Sequence, residues 1–309
     1  MSVSKSRLTP VMRYGHLRTH NGNIVNQKGV PITLRGSSLF WSQWKPEFYN
    51  ADVLEWLSID WKIDVIRAAM AVDNGGYLEN PIIEQKKIET VINAAIKLGI
   101  YVIIDWHTHE MYMEEAANFF VNMTKKFKGY PNIIFELWNE PRAEFRWERD
   151  IKPYHNFIIK KIRDIDPNVL IILGTENFSK RVDIALESKV DYKNIAYSFH
   201  FYAASHRNKL RTLIANTSKK NLPMIATEWG MCEANGDGKL SVSETRKWWK
   251  LLEENNIGYL NWAISDKSES ASSLQFGANP RGNWSPSMLS KSGQIIRKNL
   301  RKYRIRECK

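Results

Sequence analysis

Eight runs rich in isoleucine and valine recur along this chain, and they limit its fold more than any other feature. The runs cover residues 32–40, 64–70, 101–107, 133–140, 169–175, 195–202, 224–230 and 259–265. Because they do not alternate in polarity, they are typical of strands buried on both faces. Amphipathic segments between them predict helices at 51–60, 81–98, 114–127, 151–164, 179–188, 208–220, 241–255 and 290–302. Eight strand–helix units in a row favour an α/β fold, the (β/α)8 or TIM barrel.

A doubly wound open sheet is the alternative fold for such a pattern. Polar or aromatic side chains stand near the carboxyl end of nearly every run: Arg67, His107, Asn139, Glu140, Thr175, His200, Tyr202, Glu228 and Trp262. An open sheet concentrates its site at one switch point, whereas a barrel gathers all its strand ends at one rim. The spread of these residues over so many runs therefore favours the barrel.

The segment ahead of the first run predicts a short β-hairpin. Residues 15–30 contain Asn21-Gly22, a dipeptide typical of tight hairpin turns. No linker or low-complexity stretch interrupts the strand–helix units, so we expect a single barrel domain at 15–303. Residues 1–14 are then an N-terminal tail, and residues 304–309 are a basic C-terminal tail.

The charge of the chain raises the question of a polyanionic partner. The formal net charge is +12, spread along the sequence apart from one basic cluster near the C-terminus. No nucleic-acid motif accompanies that cluster, so a solvated helix face is the better interpretation, and we expect no nucleic-acid partner. No apolar stretch is long enough to span a bilayer, and the first eleven residues lack the apolar core of a signal peptide. We expect a monomer that binds no membrane.

The cysteines and histidines bear on metal binding. Cys232 and Cys308 are too few for a disulfide framework or a cysteine-based zinc site, although a single bridge between them stays open. His107-Thr108-His109 resembles the metal-binding pairs of some metal-dependent hydrolases, but no further carboxylate ligand is evident. We therefore expect no metal and no cofactor.

Two glutamates, Glu140 and Glu228, give the strongest indication of function, because each closes an apolar run where a charge has no packing role. Cleavage of a glycosidic bond uses two carboxyls: one protonates the leaving oxygen, and the other stays ionised and attacks or activates water. Arg67 is a buried cation that needs an anionic partner, and it would lower the pKa of a neighbouring carboxyl. We expect a raised pKa for Glu140 while Glu228 is ionised.

Seven short motifs, in order and at family-like spacing, carry a resemblance to a known family. They are Leu34-Arg35-Gly36, Val65-Ile66-Arg67-Ala68-Ala69-Met70, Ile104-Asp105-Trp106-His107, Asn139-Glu140-Pro141, His200-Phe201-Tyr202, Thr227-Glu228-Trp229-Gly230 and Asn261-Trp262-Ala263-Ile264-Ser265-Asp266-Lys267. Together they resemble glycoside hydrolase family 5, and within it the endo-β-1,4-glucanases of the cellulase branch. The resemblance extends from about residue 15 to residue 298.

The resemblance implies a cofactor-free, secreted hydrolase that acts on a β-1,4-linked polysaccharide or oligosaccharide. It implies that Glu140 is the acid/base and Glu228 the nucleophile of a retaining mechanism, with the two carboxyls about 5–5.5 Å apart. The residues that match positions around the bound sugars are Trp44, Arg67, His107, Asn139, Phe178, His200, Tyr202, Ala234, Trp262, Lys267 and Glu269. Among them, Trp44, Lys267 and Glu269 match contacts one sugar further toward the non-reducing end, and Phe178 matches the leaving-group side.

The chain also departs from the bacterial pattern of this family. Ala71 stands where many members carry tyrosine, Phe178 where they often carry tryptophan, and Trp138 where they carry a smaller residue. The loop at 108–114 is shorter by several residues. These departures leave open glucomannan, mixed-linkage glucan or xylan as the polymer, so that a β-1,4-mannanase or a xylanase is the alternative. A polysaccharide-binding protein with vestigial catalysis and a metal-dependent hydrolase lie further from the residues observed.

Overall fold

Eight parallel strands close into a barrel in the computed structural model, which describes residues 8–307 of the chain and the side chains of residues 8–303. The barrel strands are β3 (Arg35–Leu39), β4 (Val65–Ala71), β5 (Tyr101–His107), β6 (Ile133–Glu136), β7 (Leu170–Leu173), β8 (Ile195–Tyr202), β9 (Met224–Gly230) and β10 (Gly258–Ile264). Each strand pairs with its sequence neighbour, and β10 pairs with β3 to complete the ring. The predicted barrel and its eight strands are confirmed, and the open sheet is excluded.

Helices follow the strands and form the outer layer of the barrel. They are α2 (Ala51–Trp56), α3 (Pro81–Leu98), α4 (Met113–Phe127), α5 (Lys152–Arg163), α6 (Glu176–Ser179), α7 (Val182–Glu187), α8 (Asn208–Ser218), α9 (Val242–Glu254) and α10 (Lys291–Glu307). The main difference from the prediction lies around residues 176–188, where α6 and α7 stand in place of the single helix expected at 179–188. Asn177 and Phe178 adopt left-handed backbone angles there and interrupt the helical path.

A hairpin and a short helix cover the amino-terminal end of the barrel. Strands β1 (Arg18–His20) and β2 (Asn23–Val25) pair antiparallel, as predicted, around Asn21 and Gly22, which both have positive φ. Helix α1 (Pro10–Tyr14) lies within the segment expected to be a tail. It is ordered because Tyr14 is buried against the apolar layer at this end of the barrel.

Side chains inside the barrel change character along each strand. The amino-terminal layer is apolar and includes Val65, Ile103, Ile134, Ile225 and Leu260. Because side chains on a strand alternate between its two faces, the residue two positions further on points into the barrel as well. Those positions are occupied by Arg67, Asp105, Glu136, Thr227 and Trp262, all of which are buried. The fold thus brings polar groups from separate motifs together at the carboxyl end of the barrel.

Two further expectations concern the cysteines and the membrane. Cys232 is buried after β9, while Cys308 lies outside the described residues, so the bridge between them stays open. Within residues 8–307, none of the helices is both long enough and apolar enough to cross a bilayer.

Candidate active site

Arg67 on β4 is the centre of the polar layer. Its guanidinium nitrogens lie 2.7 Å from Glu136 Oε2, 3.0 Å from Asp105 Oδ2 and 3.1 Å from Glu228 Oε2. Arg67 Nη2, the nitrogen that faces Asp105, also donates to Asn139 Oδ1 at 2.7 Å. The Arg67 side chain is fully buried, and burial of a cation is favourable only when it is paired and hydrogen-bonded in this way. Arg67 therefore fixes the position of Glu228 relative to Asn139, the residue before Glu140.

Glu228 at the end of β9 is bound on both carboxylate oxygens. Tyr202 donates its hydroxyl to Oε1 at 2.7 Å, and Arg67 donates to Oε2 at 3.1 Å. Burial raises the pKa of Glu228, and the nearby charge of Glu140 raises it further, while His200, Arg67 and the hydroxyl of Tyr202 lower it. The two hydrogen bonds orient this carboxylate toward the open groove.

Glu140 is bound by a histidine on each oxygen. His200 Nδ1 lies 2.8 Å from Oε1, and His109 Nε2 lies 3.0 Å from Oε2. Burial acts to raise the pKa of Glu140, but the hydrogen bonds from His109 and His200 outweigh it and lower that pKa. Burial alone would lower the pKa of His200, yet the charge of Glu228 and the bonds to Glu136 and Glu140 raise it to about 9. In the ligand-free protein at neutral pH, the proton between Glu140 and His200 therefore resides on His200.

The predicted order of the two pKa values is consequently wrong for the ligand-free protein. We expected a raised pKa for Glu140, but the structure lowers it and raises that of Glu228. The reason is that the two histidine donors reach Glu140 from other strands and loops, which a reading along the chain does not reveal. Nevertheless, one carboxylate oxygen of Glu140, one of Glu228 and one ring nitrogen of His200 lie within 4.8 Å of one another.

His107 forms part of the floor between these glutamates and the aromatic residues. Its Nδ1 lies 2.6 Å from Asp105 Oδ2, and its ring stacks on Trp262 with centroids 5.0 Å apart. Burial lowers the pKa of His107 well below 6.5, so its ring is neutral beside Asp105. Trp41 contacts His107 edge-on with centroids 4.1 Å apart. These contacts hold the flat face of Trp262 in place beside Glu228.

A cavity of about 240 Å³ opens over this floor at the carboxyl end of the barrel. Its lining contains most of the residues expected to contact sugars: Trp44, His107, Asn139, Glu140, Tyr202, Glu228, Ala234, Trp262, Lys267 and Glu269. Trp44 is 55% exposed, so its ring is available at the rim. Lys267 pairs with Glu269 and lies over the ring of Phe40. Of the remaining expected residues, Arg67 lies fully buried beneath the floor, and His200, almost fully buried, lines the cavity that adjoins this one.

Phe178 lines a second cavity, of about 260 Å³, that adjoins the first at Glu140 and Tyr202. Asn177, Phe178 and Ser179 all have φ between 51° and 59°, a conformation that is costly for residues other than glycine. The turn is held because Phe178 N donates to Pro141 O and Ser179 Oγ donates to Asn139 O, each at 2.8 Å. Asn139 and Pro141, the residues on either side of Glu140, therefore fix the position of Phe178.

The site contains residues that the sequence does not assign to it, among them Trp41, Asp105, His109 and Glu136. The sequence contains a signal for Asp105 and Glu136, since each is a charge inside an apolar run, Asp105 two residues before His107 and Glu136 three residues before Asn139. His109 had been considered only as a metal ligand. In the structure His109 binds Glu140, whereas His107 binds Asp105, so the two histidines serve different partners.

One group of three among the described residues, Glu140, His200 and Glu228, has ligand atoms close enough to hold a metal ion. However, Arg67 lies 3.1 Å from Glu228, and the pKa of His200 is raised to about 9, so both bring positive charge to the same oxygens. A divalent cation would be repelled by these charges in a buried site. The arrangement thus fits acid/base and nucleophilic chemistry better than metal binding.

Comparison with known proteins places this site in a wider group. A family model described as cellulase (glycosyl hydrolase family 5) matches residues 25–268. An endoglucanase of Clostridium saccharobutylicum is 40% identical over 93% of this chain, which spans 65% of that protein's length. A protein structure from Cytophaga hutchinsonii is 43% identical, with a TM-score of 0.94 over 96% of this chain and 97% of the other. The catalytic domain of a Thermobifida fusca endoglucanase variant, in complex with cellotetraose, is 31% identical, with a TM-score of 0.90 over 95% and 99%.

Proposed function

Since the chain belongs to the cellulase family, glycosyl hydrolase family 5, we propose that it cleaves internal β-1,4-glucosidic bonds of cellulose-type polysaccharides. The observation that carries this proposal is the approach of Glu140 and Glu228 to within 4.8 Å in an aromatic-lined groove. Retaining glycosidases keep their two carboxyls about 5–5.5 Å apart, whereas inverting enzymes leave room for a water between them. The spacing here favours retention through a covalent intermediate.

In the first step, Glu228 attacks the anomeric carbon and forms a glycosyl ester while the bond to the leaving oxygen breaks. Glu140 gives a proton to that oxygen, so the leaving sugar departs as an alcohol. Tyr202 and Arg67 hold the attacking carboxylate in position through their hydrogen bonds to its two oxygens. Because these donors are already in place before substrate binds, the site needs little reorganisation while Glu228 forms the ester and loses its negative charge.

In the second step, a water molecule attacks the same carbon from the side that the leaving sugar has vacated. Glu140, now ionised, takes a proton from that water, and the ester bond to Glu228 breaks. The configuration of the anomeric carbon is inverted twice and is therefore retained. At the end of this step Glu140 carries the proton taken from water, and Glu228 is again a carboxylate.

The remaining residues of the groove are proposed to bind the polymer. Trp262 and Trp44 offer flat faces for stacking on successive sugar rings, and their rings lie at the floor and the rim of one cavity. Lys267 and Glu269 supply polar contacts beside Trp44. Phe178 supplies a ring on the other side of Glu140, where the leaving sugar would lie. A groove with contacts on both sides of the acid/base suits cleavage within a chain.

The location and assembly state are also proposals. An insoluble polymer cannot enter a cell, so an enzyme acting on cellulose is expected outside it, as the family resemblance implies. The groove is complete within one chain, which supports action as a monomer. Fractionation of the producing cells and size-exclusion chromatography test these two points.

The function is tested by reducing-sugar release and viscosity loss on carboxymethylcellulose, glucomannan and xylan, with Glu228→Gln as the matched variant. A fast loss of viscosity on carboxymethylcellulose that is absent in the variant supports the proposal. Faster hydrolysis of glucomannan or xylan keeps the mechanism and changes the polymer. Binding without turnover by the well-folded wild type would refute the enzymatic proposal.

A further inference from the structure

Glu140 differs from the other carboxylates of the site because one of its histidine partners faces solvent. The side chain of His200 is only 2% exposed, whereas that of His109 is 32% exposed. His200 is held on both nitrogens, by Glu140 Oε1 at 2.8 Å and by Thr227 Oγ1 at 2.9 Å. Its orientation and its proton are therefore tied to the barrel interior.

His109 has a different environment, although it binds the same carboxylate. Its ring lies between Trp41, with centroids 5.8 Å apart, and Phe178, with centroids 6.0 Å apart. Its Nε2 lies 3.0 Å from Glu140 Oε2, the oxygen that His200 does not bind. His109 thus stands at the mouth of the groove, on the side of Phe178, with access to water.

We propose that His109 is a positioning residue that stores the proton which Glu140 gives to the leaving oxygen; this inference rests on the proposed function. In the free enzyme the proton is on His109 Nε2 and Glu140 is ionised. When substrate binds, that proton moves to Glu140 Oε2 and then to the glycosidic oxygen, which leaves His109 neutral. In the second step Glu140 takes a proton from water and returns it to His109, so that the pair regains its starting state.

The charged groups around His109 and Glu140 are consistent with a proton on His109 in the free enzyme. His109 is influenced by Glu140 and Glu228, which favour its charged form, and by Arg142, which opposes it. Arg142 is itself paired with Glu110 at 2.8 Å. Burial lowers the pKa of His107, and the nearby charge of His109 lowers it further, so His107 adds no positive charge beside His109.

Further titratable groups face Glu140 from the neighbouring elements, and their charges affect the proton that Glu140 and His109 share. His200, Lys180 and His206 all interact with its charge. Burial lowers the pKa of His109, but its bond to Glu140 raises it overall, while the pKa of Glu140 falls. The pair therefore keeps its proton to a higher pH than Glu140 would alone.

The test is the pH profile of kcat/KM for His109→Gln, with cellotetraose and with 2,4-dinitrophenyl β-cellobioside as substrates. A glutamine amide can donate to Glu140 but cannot store the proton. With cellotetraose we expect the basic limb to move down by about one pH unit, hence about a tenfold loss above that limb. The dinitrophenolate departs without a proton. With that substrate, the basic limb of His109→Gln should therefore lie at the same pH as that of the wild type. His20→Gln, on the hairpin at the opposite end, is the matched control.

The outcomes separate this inference from the proposed function. Wild-type turnover of both substrates, and its loss in Glu228→Gln, test the function alone. If the function holds but the basic limb of His109→Gln on cellotetraose stays unchanged, the inference is wrong. An equal loss on both substrates at every pH would also overturn it, because that result indicates a role in structure or binding. Thermal denaturation of each variant checks that it is folded.

Discussion

The two ends of the barrel use the same eight strands for different purposes. At the amino-terminal end the interior is aliphatic, whereas two residues further along the same strands it is mostly polar and contains the ionic group of Arg67, Asp105 and Glu136. Ile225 and Thr227 on β9, and Ile103 and Asp105 on β5, illustrate the change. The distance along a strand is only about 6–7 Å, since each residue rises about 3.3 Å. One backbone framework thus supports two environments, and a short step in sequence separates them.

The energetics of the two ends differ in kind. Burial of aliphatic side chains at the amino-terminal end stabilises the fold by about 25 cal/mol for each Å² removed from water. At the carboxyl end, the attraction between Arg67 and its carboxylate partners is largely offset by the cost of removing all these charges from water. We therefore expect the first end to supply most of the net stabilisation and the second to supply the activity, although removal of one charged partner alone from the second end would still destabilise the fold.

The largest effect should come from Glu228→Gln at the ionic end. An amide cannot form the glycosyl ester, so we expect kcat to fall by at least about a thousandfold. The free energy of unfolding should not decrease, because a buried carboxyl with a raised pKa is replaced by a neutral group of the same shape. Steady-state kinetics and urea denaturation measure the two quantities. A variant that retains wild-type kcat would contradict the assigned role.

Arg67→Met tests whether the ionic end depends on its one central cation. Removing Arg67 leaves Asp105, Glu136 and Glu228 buried without their shared partner. Breaking a buried ion pair from one side costs about 3–5 kcal/mol, and we expect a loss of that order in the free energy of unfolding. Urea denaturation monitored by circular dichroism measures it. A loss below about 1 kcal/mol would show that the carboxyls find other compensation.

Ile225→Ala tests the aliphatic end on the strand that also carries Glu228. Ile225 is fully buried in the apolar layer, so its truncation should cost about 2–5 kcal/mol of unfolding free energy. Because the active end is separate, kcat measured well below the melting temperature should stay close to that of wild type. A large fall in kcat with stability preserved would show that the two ends are coupled.

The acidic limb of the pH profile gives a smaller effect. Glu228 must be ionised to attack, and its pKa is raised above 4.5, so activity should fall as the pH drops through a value higher than that of an ordinary glutamate. The hydrogen bond from Tyr202 lowers this pKa, so Tyr202→Phe should move the limb to still higher pH. Measurement of kcat/KM against pH for both proteins checks the direction. A shift to lower pH would refute the assignment of the limb to Glu228.

The smallest effect is expected from removal of metal ions. Arg67 and His200 place positive charge beside the oxygens that could hold a cation, so the proposed mechanism does not use one. Dialysis against a strong chelator should leave the rate of hydrolysis unchanged. Loss of activity that returns on adding a divalent ion would favour the metal-dependent alternative.

Much of the fold could be predicted because its signals are local. The apolar runs mark strands, the Asn21-Gly22 turn marks the hairpin, and both are confirmed. Helix α1 was missed because its five residues are too few for a periodic pattern; it is ordered by contact with the barrel end. The break at 177–179 depends on hydrogen bonds to residues near Glu140, which the sequence of that segment does not contain.

The site was predicted in its residues more fully than in its electrostatics. Motif positions such as Glu140, Glu228 and Trp262 lie together as expected in one groove. The order of the two pKa values was not predictable, since it depends on His109 and His200 meeting one carboxylate from different elements. Contacts of that kind are set by the closed barrel, and a linear reading of separate motifs has no access to them.

Closure of the barrel has a consequence for the synthesis of this protein. Arg67 precedes its partner Glu228 by 161 residues, and the ring closes only when β10 reaches β3. At a translation rate of about 5–20 residues per second, the ribosome needs roughly 8–32 s to make that interval. Until then, the carboxylates that Arg67 can bind are those of Asp105 on β5 and Glu136 on β6, because Glu228 has not yet been synthesised. If Glu228 is the nucleophile as proposed, a fragment released by a ribosome that stops before β9 should have no hydrolytic activity toward the polymer.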